Sequence, residues 1–512
     1  MSNLNPFELP EIRTHIASYL DGPELVLCLQ VCKSWYNRFI PLIWKDVQVY
    51  YSHKYVRKKT TRKGAYQKLV ARKGPLPEYL ERHRQFVHSL RIEDEDSDRY
   101  AFNYPNLQKF AYSGITNEQE TSKNDCAPIA FLELNPAIVE LEISDYASSN
   151  SFVAPCLKVL RAHQHDLRKL TLRGFKIEKE SLDDFWGVCE RLELLGLLDF
   201  NINVNDFELI DGFPAFVKVD VAAILFTDTT YPGLRQLHYR PHVLFGREGQ
   251  FELLRKFPGI EDLSCFRTDV YSSFNMTRCF ETKMWSNLRK LSLPHPLKDS
   301  ELAIILHEMN RATNLNFIDS EFGPLASQAL IPHYSTVTEL VLSPWTGGTS
   351  SMVRDILCNC PQLEHLQANR VLARDVVEGG PWVCHSLRRL VVYIQFSKEE
   401  LELHPLIYAR LSRLVKLRSL AIGLNGYRGN QYSCGLYIQL SQGLGALASL
   451  KELEYLSVLR TYQSVGVEEV RWIGENLKSL KVFHGRKNSK IFKVDKEICA
   501  LLKQYGIKIH SF

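Results

Sequence analysis

Residues 167–172 read Leu-Arg-Lys-Leu-Thr-Leu, and the arrangement returns as Leu-Arg-Lys-Leu-Ser-Leu at 288–293, Val-Thr-Glu-Leu-Val-Leu at 337–342 and Leu-Arg-Ser-Leu-Ala-Ile at 417–422. The last two apolar positions of each alternate with polar ones, the period of a short strand with one buried face. Along the chain the pattern opens at Val87, Leu107, Ile138, Leu167, Leu192, Leu234, Ile260, Leu288, Leu315, Val337, Leu363, Leu387, Leu417, Leu450 and Leu477. The openings lie 20 to 33 residues apart, except for 42 residues after Leu192. Segments at helical spacing lie between them, such as Leu302, Ile305 and Leu306, or Val353, Ile356 and Leu357. One strand and one helix per row predict an α/β chain in which each row covers the next, with parallel strands on a concave side and helices on a convex side.

These rows resemble leucine-rich repeats over roughly residues 87–512. The resemblance implies a curved leucine-rich-repeat solenoid of about 15 irregular rows, occupying 86–512. Val217, Val219 and Val221 alternate, so a further row is expected inside the long interval in preference to a protruding loop. Thr116 to Ala127, poor in apolar residues, reads as a loop between rows.

Upstream, residues 9–47 read LPEIRTHIASYLDGPELVLCLQVCKSWYNRFIPLIWKDV. Pro10 suits a first helical position, and Ile12, Ile16 and Leu20 follow on one stripe. Asp21, Gly22 and Pro23 break that helix; Leu25, Leu29, Cys32, Tyr36 and Phe39 continue the period in a second, and Pro41 is expected to end it before a short third cluster, Leu42 to Val47. Three helices in so few residues cannot bury two apolar faces internally, so part of this surface should pack on another protein.

The run Leu9-Pro10-x-Ile12, Ile16, Tyr19-Leu20, Leu25, Val31-Cys32-Lys33-x-Trp35 and Pro41-Leu42-Ile43-Trp44 resembles an F-box motif, with Glu24 where the family often has Asp. The resemblance implies an F-box domain at 1–50 in which Leu9, Pro10, Ile12, Ile16, Leu20, Leu25, Leu29 and Trp35 dock on a Skp-family adaptor and, through it, on a cullin-RING ligase. A basic linker and helix at 51–85 would lead into the repeats.

The chain has 512 residues, 45% hydrophobic and 24% charged, which is ordinary for a folded protein and too long for one compact core. It contains no run of 18 apolar residues, and Met1 to Leu20 lacks the charged and apolar regions of a secretory leader. The 12 cysteines are scattered without a framework of close pairs. Cytoplasm, nucleus or both are the expected locations. Residues 53–73 hold nine Lys or Arg and no acid, against a net charge of +5 for the whole chain. A solvated linker is the preferred reading; a nuclear-import signal or a contact to an acidic or phosphate-bearing partner is the alternative.

Catalytic patterns are lacking: there is no phosphate loop, dinucleotide fingerprint or nucleophile elbow. His163, His165 and Asp166, and Cys358, Cys360, His365, Cys384 and His385, have metal-ligand residue types, but Asp166 sits in the turn before a row opening and Cys358 and Cys360 end a helix, where structural roles suffice. No metal or cofactor is therefore expected. What remains is binding by the outward strand side chains, with Lys169, Arg173, His238, Lys290, His365, Asn369, Arg389 and Tyr393 as candidates for contact with a protein substrate. Their mixed signs argue against nucleic acid. The chain then reads as a non-catalytic substrate receptor of a ubiquitin ligase, or alternatively as a scaffold or nuclear binding protein that docks on the adaptor without delivering a substrate.

Overall fold

A computed structural model of the chain describes residues 9–20, 22–50, 77–93, 97–114, 127–145, 153–198, 201–203, 209–210, 213–214, 229–240, 246–265, 276–293, 296–342, 349–422, 435–458, 465–485 and 492–510. The basic run 53–73, the row expected around Val217 to Val221 and nearly all of the loop at 116–127 lie outside these residues.

Helix α1 spans Pro10–Tyr19, α2 Gly22–Leu29 and α3 Lys33–Trp44. Pro10 opens α1 at a position whose N–H would be unsatisfied in any case. The second helix of the sequence reading is divided elsewhere than expected. It breaks at Gln30–Cys32, where the Cys32 backbone is extended, and Pro41 lies inside α3. Proline removes one helical N–H and crowds the carbonyl four residues back. The flanking Phe39, Ile40 and Trp44 are all buried, and that apolar burial holds the helix through the defect.

The chain forms two compact units, one reaching to Ile260 and the other beginning at Glu261. In the first, strands β1 (Asp46–Tyr50), β2 (Ser89–Glu93), β3 (Lys109–Gly114), β4 (Glu140–Asp145), β5 (Lys169–Arg173), β6 (Leu194–Leu198) and β7 (Gln236–Tyr239) pair in that order, all parallel. Register places Val47, Leu90, Phe110, Leu141, Leu170, Leu195 and Leu237 in one column, each at most 2% exposed.

In the second unit, β8 (Asp262–Cys265), β9 (Lys290–Ser292), β10 (Asn314–Phe317), β11 (Glu339–Leu342), β12 (His365–Leu372), β13 (Arg389–Gln395), β14 (Ser419–Ala421), β15 (Tyr455–Ser457), β16 (Val482–His484) and β17 (Lys508–His510) form a second parallel ladder. Helices of successive rows pack side by side, as Asp299–Glu308 does on Pro324–Leu330.

The ladders shift three expected rows. Leu315 shares the column of Leu291 and Leu340, so its row opens at the buried Ala312. Leu456 and Phe483 occupy the same column, so their rows open at Leu453 and Leu480, not Leu450 and Leu477. Leucines recur every third position there, and spacing alone does not show which of them the column takes. Strands β1 and β17 add rows beyond the expected openings.

Rows are fastened by carbonyls that each accept two N–H groups from the next row. The Lys45 carbonyl accepts from His88 and Ser89 at 2.9 and 3.0 Å, and the Val139 carbonyl from Arg168 and Lys169 at 2.9 and 3.0 Å. Side chains add further ties: the Thr336 hydroxyl donates to the Ala312 carbonyl at 2.7 Å, and the Ser479 hydroxyl to the Lys451 carbonyl at 2.6 Å. Asp299 reaches across rows to cap the helix Pro324–Leu330, its carboxylate accepting from the N–H groups of Gly323, Leu325 and Ala326 at 2.8 to 3.0 Å. A Cβ at Gly323 would meet that carboxylate at 2.6 Å, so a larger residue there would displace the cap.

His404 is wholly buried between the rings of Phe396 and Tyr437, at centroid distances of 4.0 and 4.6 Å. Its Nδ1 accepts the Tyr437 N–H at 3.4 Å, and its Nε2 has no hydrogen-bond partner among the described residues. Burial pushes its pKa from an ordinary 6.5 down to about 4. The unfolded chain therefore binds this proton below pH 6.5, while the folded chain binds it only near pH 4. The contribution is complete above pH 6.5 and is lost as pH falls toward 4. Urea unfolding across that window should show a shallower loss of stability in His404→Phe than in wild type; equal slopes would contradict this assignment.

Candidate functional site

The three N-terminal helices expose an apolar surface that their own packing leaves uncovered. Leu9 is 42% exposed, Tyr19 72%, Leu27 63% and Val31 62%, with Tyr36 also exposed. Ile12, Ile16, Leu20, Leu25, Leu29 and Trp35, the positions singled out from the sequence, are half-buried, and Pro10 starts α1. The most exposed of these side chains, Tyr19, Leu27 and Val31, were not among the candidates. Tyr19 and Val31 adjoin the periodic Leu20 and Cys32, and Leu27 lies midway between Leu25 and Leu29; that offset was the available signal.

Helix α3 fixes this surface to the first repeats. Trp44 stacks on His83 at 4.7 Å with planes 27° apart, and Trp35 lies 5.5 Å from Phe39. Burial, aided by neighbouring Arg82, holds the His83 pKa below its ordinary value and so favours a neutral ring. Immediately after Trp44, Lys45 supplies the doubly used carbonyl and β1 begins. The helical segment and the sheet are thus joined without a spacer on this side. Trp44→Ala should destabilise the protein by roughly 3 kcal/mol through the lost burial. Leu27→Ser, at an exposed position, should change stability by no more than about 0.5 kcal/mol. Denaturant unfolding of both variants checks the pair.

Both units carry charged side chains on the strand face. In the first, Lys169 lies 3.8 Å from Glu140, which Lys109 approaches at 2.9 Å, and Arg91 meets Glu142 at 3.0 Å. Arg173 ends β5, and His238 is half-buried in β7, opposite Gly196. Gly196 leaves no room for a side chain, since a Cβ would lie 2.8 Å from the Thr171 hydroxyl.

In the second unit, Lys290 is exposed on β9, and register sets Glu339, His365 and Arg389 side by side on β11, β12 and β13. Asn369 lies where the β12–β13 register slips between Gln367 and Arg370. Tyr393, expected on the open face, is instead buried at 6%. After the slip, strict alternation gives way to three successive buried residues, Val392, Tyr393 and Ile394.

The residues of metal-ligand type have other occupations. His165 Nδ1 is 3.1 Å from an Arg191 guanidinium nitrogen, and the Cys358 thiol donates to the Gly380 carbonyl at 3.3 Å. Cys360 and Cys384 are buried, which pushes both thiols up to about 12. Among the described residues, no group of three or more His, Cys, Asp or Glu is placed to hold a metal, and no helix is long and apolar enough to cross a membrane.

Residues 10–48 match the F-box-like family model. No curated protein matches the sequence. Among solved structures, the chain is similar to an internalin of Listeria monocytogenes, with 14% identity over 75% of this chain and 81% of that one and a TM-score of 0.33. It is also similar to a chain of the yeast Rad7 and Elc1 complex, with 13% identity over 85% of this chain and 86% of that one and a TM-score of 0.35. By its own ladders, the chain carries an F-box-like helical segment ahead of parallel-strand rows of the leucine-rich-repeat kind.

Proposed function

We propose that the chain is the substrate-recognition subunit of a Skp-cullin-F-box type ubiquitin ligase. The observation that carries this reading is the coincidence of the F-box-like match at 10–48 with an apolar helical surface that the described residues leave uncovered. Burying Leu9, Leu27 and the half-buried stripe against a Skp-family adaptor would remove that surface from water, at about 25 cal/mol per Å². The repeats would hold a protein substrate through strand-face side chains, of which Lys169, Arg173, His238, Lys290, His365, Asn369 and Arg389 are the candidates. Bond-making would belong to the partner enzyme. The chain would contribute proximity, raising the effective concentration of substrate near the charged ubiquitin carrier. It would work in the cytoplasm, the nucleus or both.

Binding of purified Skp-family adaptor to the full chain tests the docking step. Wild type should retain the adaptor, while Leu9→Ala combined with Leu27→Ser should weaken it at least about tenfold, as expected for truncating central apolar contacts. Undiminished binding by the double variant, with its thermal unfolding unchanged, would sink the assignment.

A further inference from the structure

The closing rows of the second unit carry an uneven charge distribution along the edge where their strands begin. The backbone there is stacked row on row. The Arg388 carbonyl accepts the N–H groups of Arg418 and Ser419 at 2.8 and 2.9 Å, and the Arg418 carbonyl those of Glu454 and Tyr455 at 2.8 and 3.0 Å. The Glu454 carbonyl continues the stack to Lys481 and Val482. The turns preceding these strands stack in the same way, with the Ser449 hydroxyl donating to the Ser412 carbonyl at 2.7 Å and the Ser479 hydroxyl to that of Lys451. Successive rows therefore stand about 5 Å apart along one strip.

Three cations on this strip are matched by carboxylates: Arg388 by Glu364 at 3.6 Å, Arg418 by Glu452 at 3.1 Å and Lys481 by Glu454 at 2.7 Å. Arg413, Lys416 and Lys451 are exposed, and no carboxylate among the described residues pairs with them. Val415, between two of them, is 52% exposed. An apolar side chain set among unmatched cations on an open turn gains nothing from water and offers a contact to a mixed ligand.

We propose that this strip binds an acidic protein segment, an extended stretch of chain whose Asp or Glu side chains meet Arg413, Lys416 and Lys451 and which sets an apolar residue on Val415. Glu452 and Glu454 interrupt the positive strip and would repel a continuous phosphate backbone, whereas a peptide can leave those positions uncharged. The described residues of the strip also present no exposed aromatic ring on which a base could stack. The proposal is independent of whether the N-terminal helices dock on an adaptor.

Fluorescence anisotropy of the full chain with a labelled short peptide in which Glu alternates with Ala around one central Leu, and with an oligothymidylate of equal length, tests it. The peptide should bind at low salt, weaken as salt rises and be bound more tightly than the oligonucleotide. Replacing Arg413, Lys416 and Lys451 together by Gln should reduce peptide affinity about tenfold, the sum of three modest exposed charge contacts. All three residues are exposed, so thermal unfolding should be unchanged. Arg289→Gln with Arg311→Gln, exposed positions in earlier rows, should leave affinity as it was. Absence of peptide binding, equal losses in the two variants, or tighter binding of the oligonucleotide would each overturn the proposal.

Discussion

A leucine in one of these rows stays dry only because the neighbouring row lies against it. No row can close a core alone, since a strand and a short helix bury one face each and need a second layer to cover it. The carbonyls that accept two N–H groups from the following row, at Lys45, Val139, Glu364 and Arg418 among others, set the distance at which this covering works. They place the column from Val47 to Leu237 in one unit and from Leu263 through Phe483 in the other. The side-chain ties of Thr336, Ser479 and Asp299 sit on the same spacing, so polar satisfaction and apolar burial demand one geometry.

The N-terminal helices use the same ladder. Lys45 belongs at once to the end of α3 and to the first carbonyl of the stack, and the Trp44–His83 ring pair fixes the helix against the chain that leads into β2. Among the described side chains of the three helices, the buried ones are Phe39, Ile40 and Trp44 of α3, while Leu9 ahead of α1, Tyr19 and Leu27 stay open. An adaptor gripping the open side would thus be held close to the first rows. Rigid attachment matters for a receptor that works by proximity, because effective concentration falls steeply when a linker is long or slack.

Much of this was readable from residue order, for a physical reason: alternation of period two and spacing of three or four are direct consequences of strand and helix geometry. The leucine columns, the helical N-terminus and the parallel α/β class follow from them. Where reading failed, the pattern was degenerate or a local rule was outweighed. Leu450, Leu453 and Leu456 offer two equally spaced choices, and only the register with Leu420 separates them. Ala312 opens a row without the bulk that marks one, Val47 reads as part of a helical cluster, and Pro41 is tolerated because its helix is anchored by burial. Tyr393 left the open face through a register slip that has no mark in the residue order. For the face that would meet a substrate, the sequence supplies side chains without an arrangement, and the structure brings Lys290, Asn314, Glu339, His365 and Arg389 into direct succession in one unit and Lys109, Glu140 and Lys169 in the other.

The claim that joins these parts is that the helical segment recruits ligase machinery while the repeats hold the target. Affinity purification from cells with the proteasome blocked, comparing the full chain with one lacking residues 9–32 and so retaining the anchored α3, tests it most directly. Both chains should recover the same repeat-bound proteins, and only the full chain should recover adaptor, cullin and ubiquitin-conjugated forms of those proteins. Equal recovery of adaptor and conjugates by the two chains, or their absence from both, would contradict it.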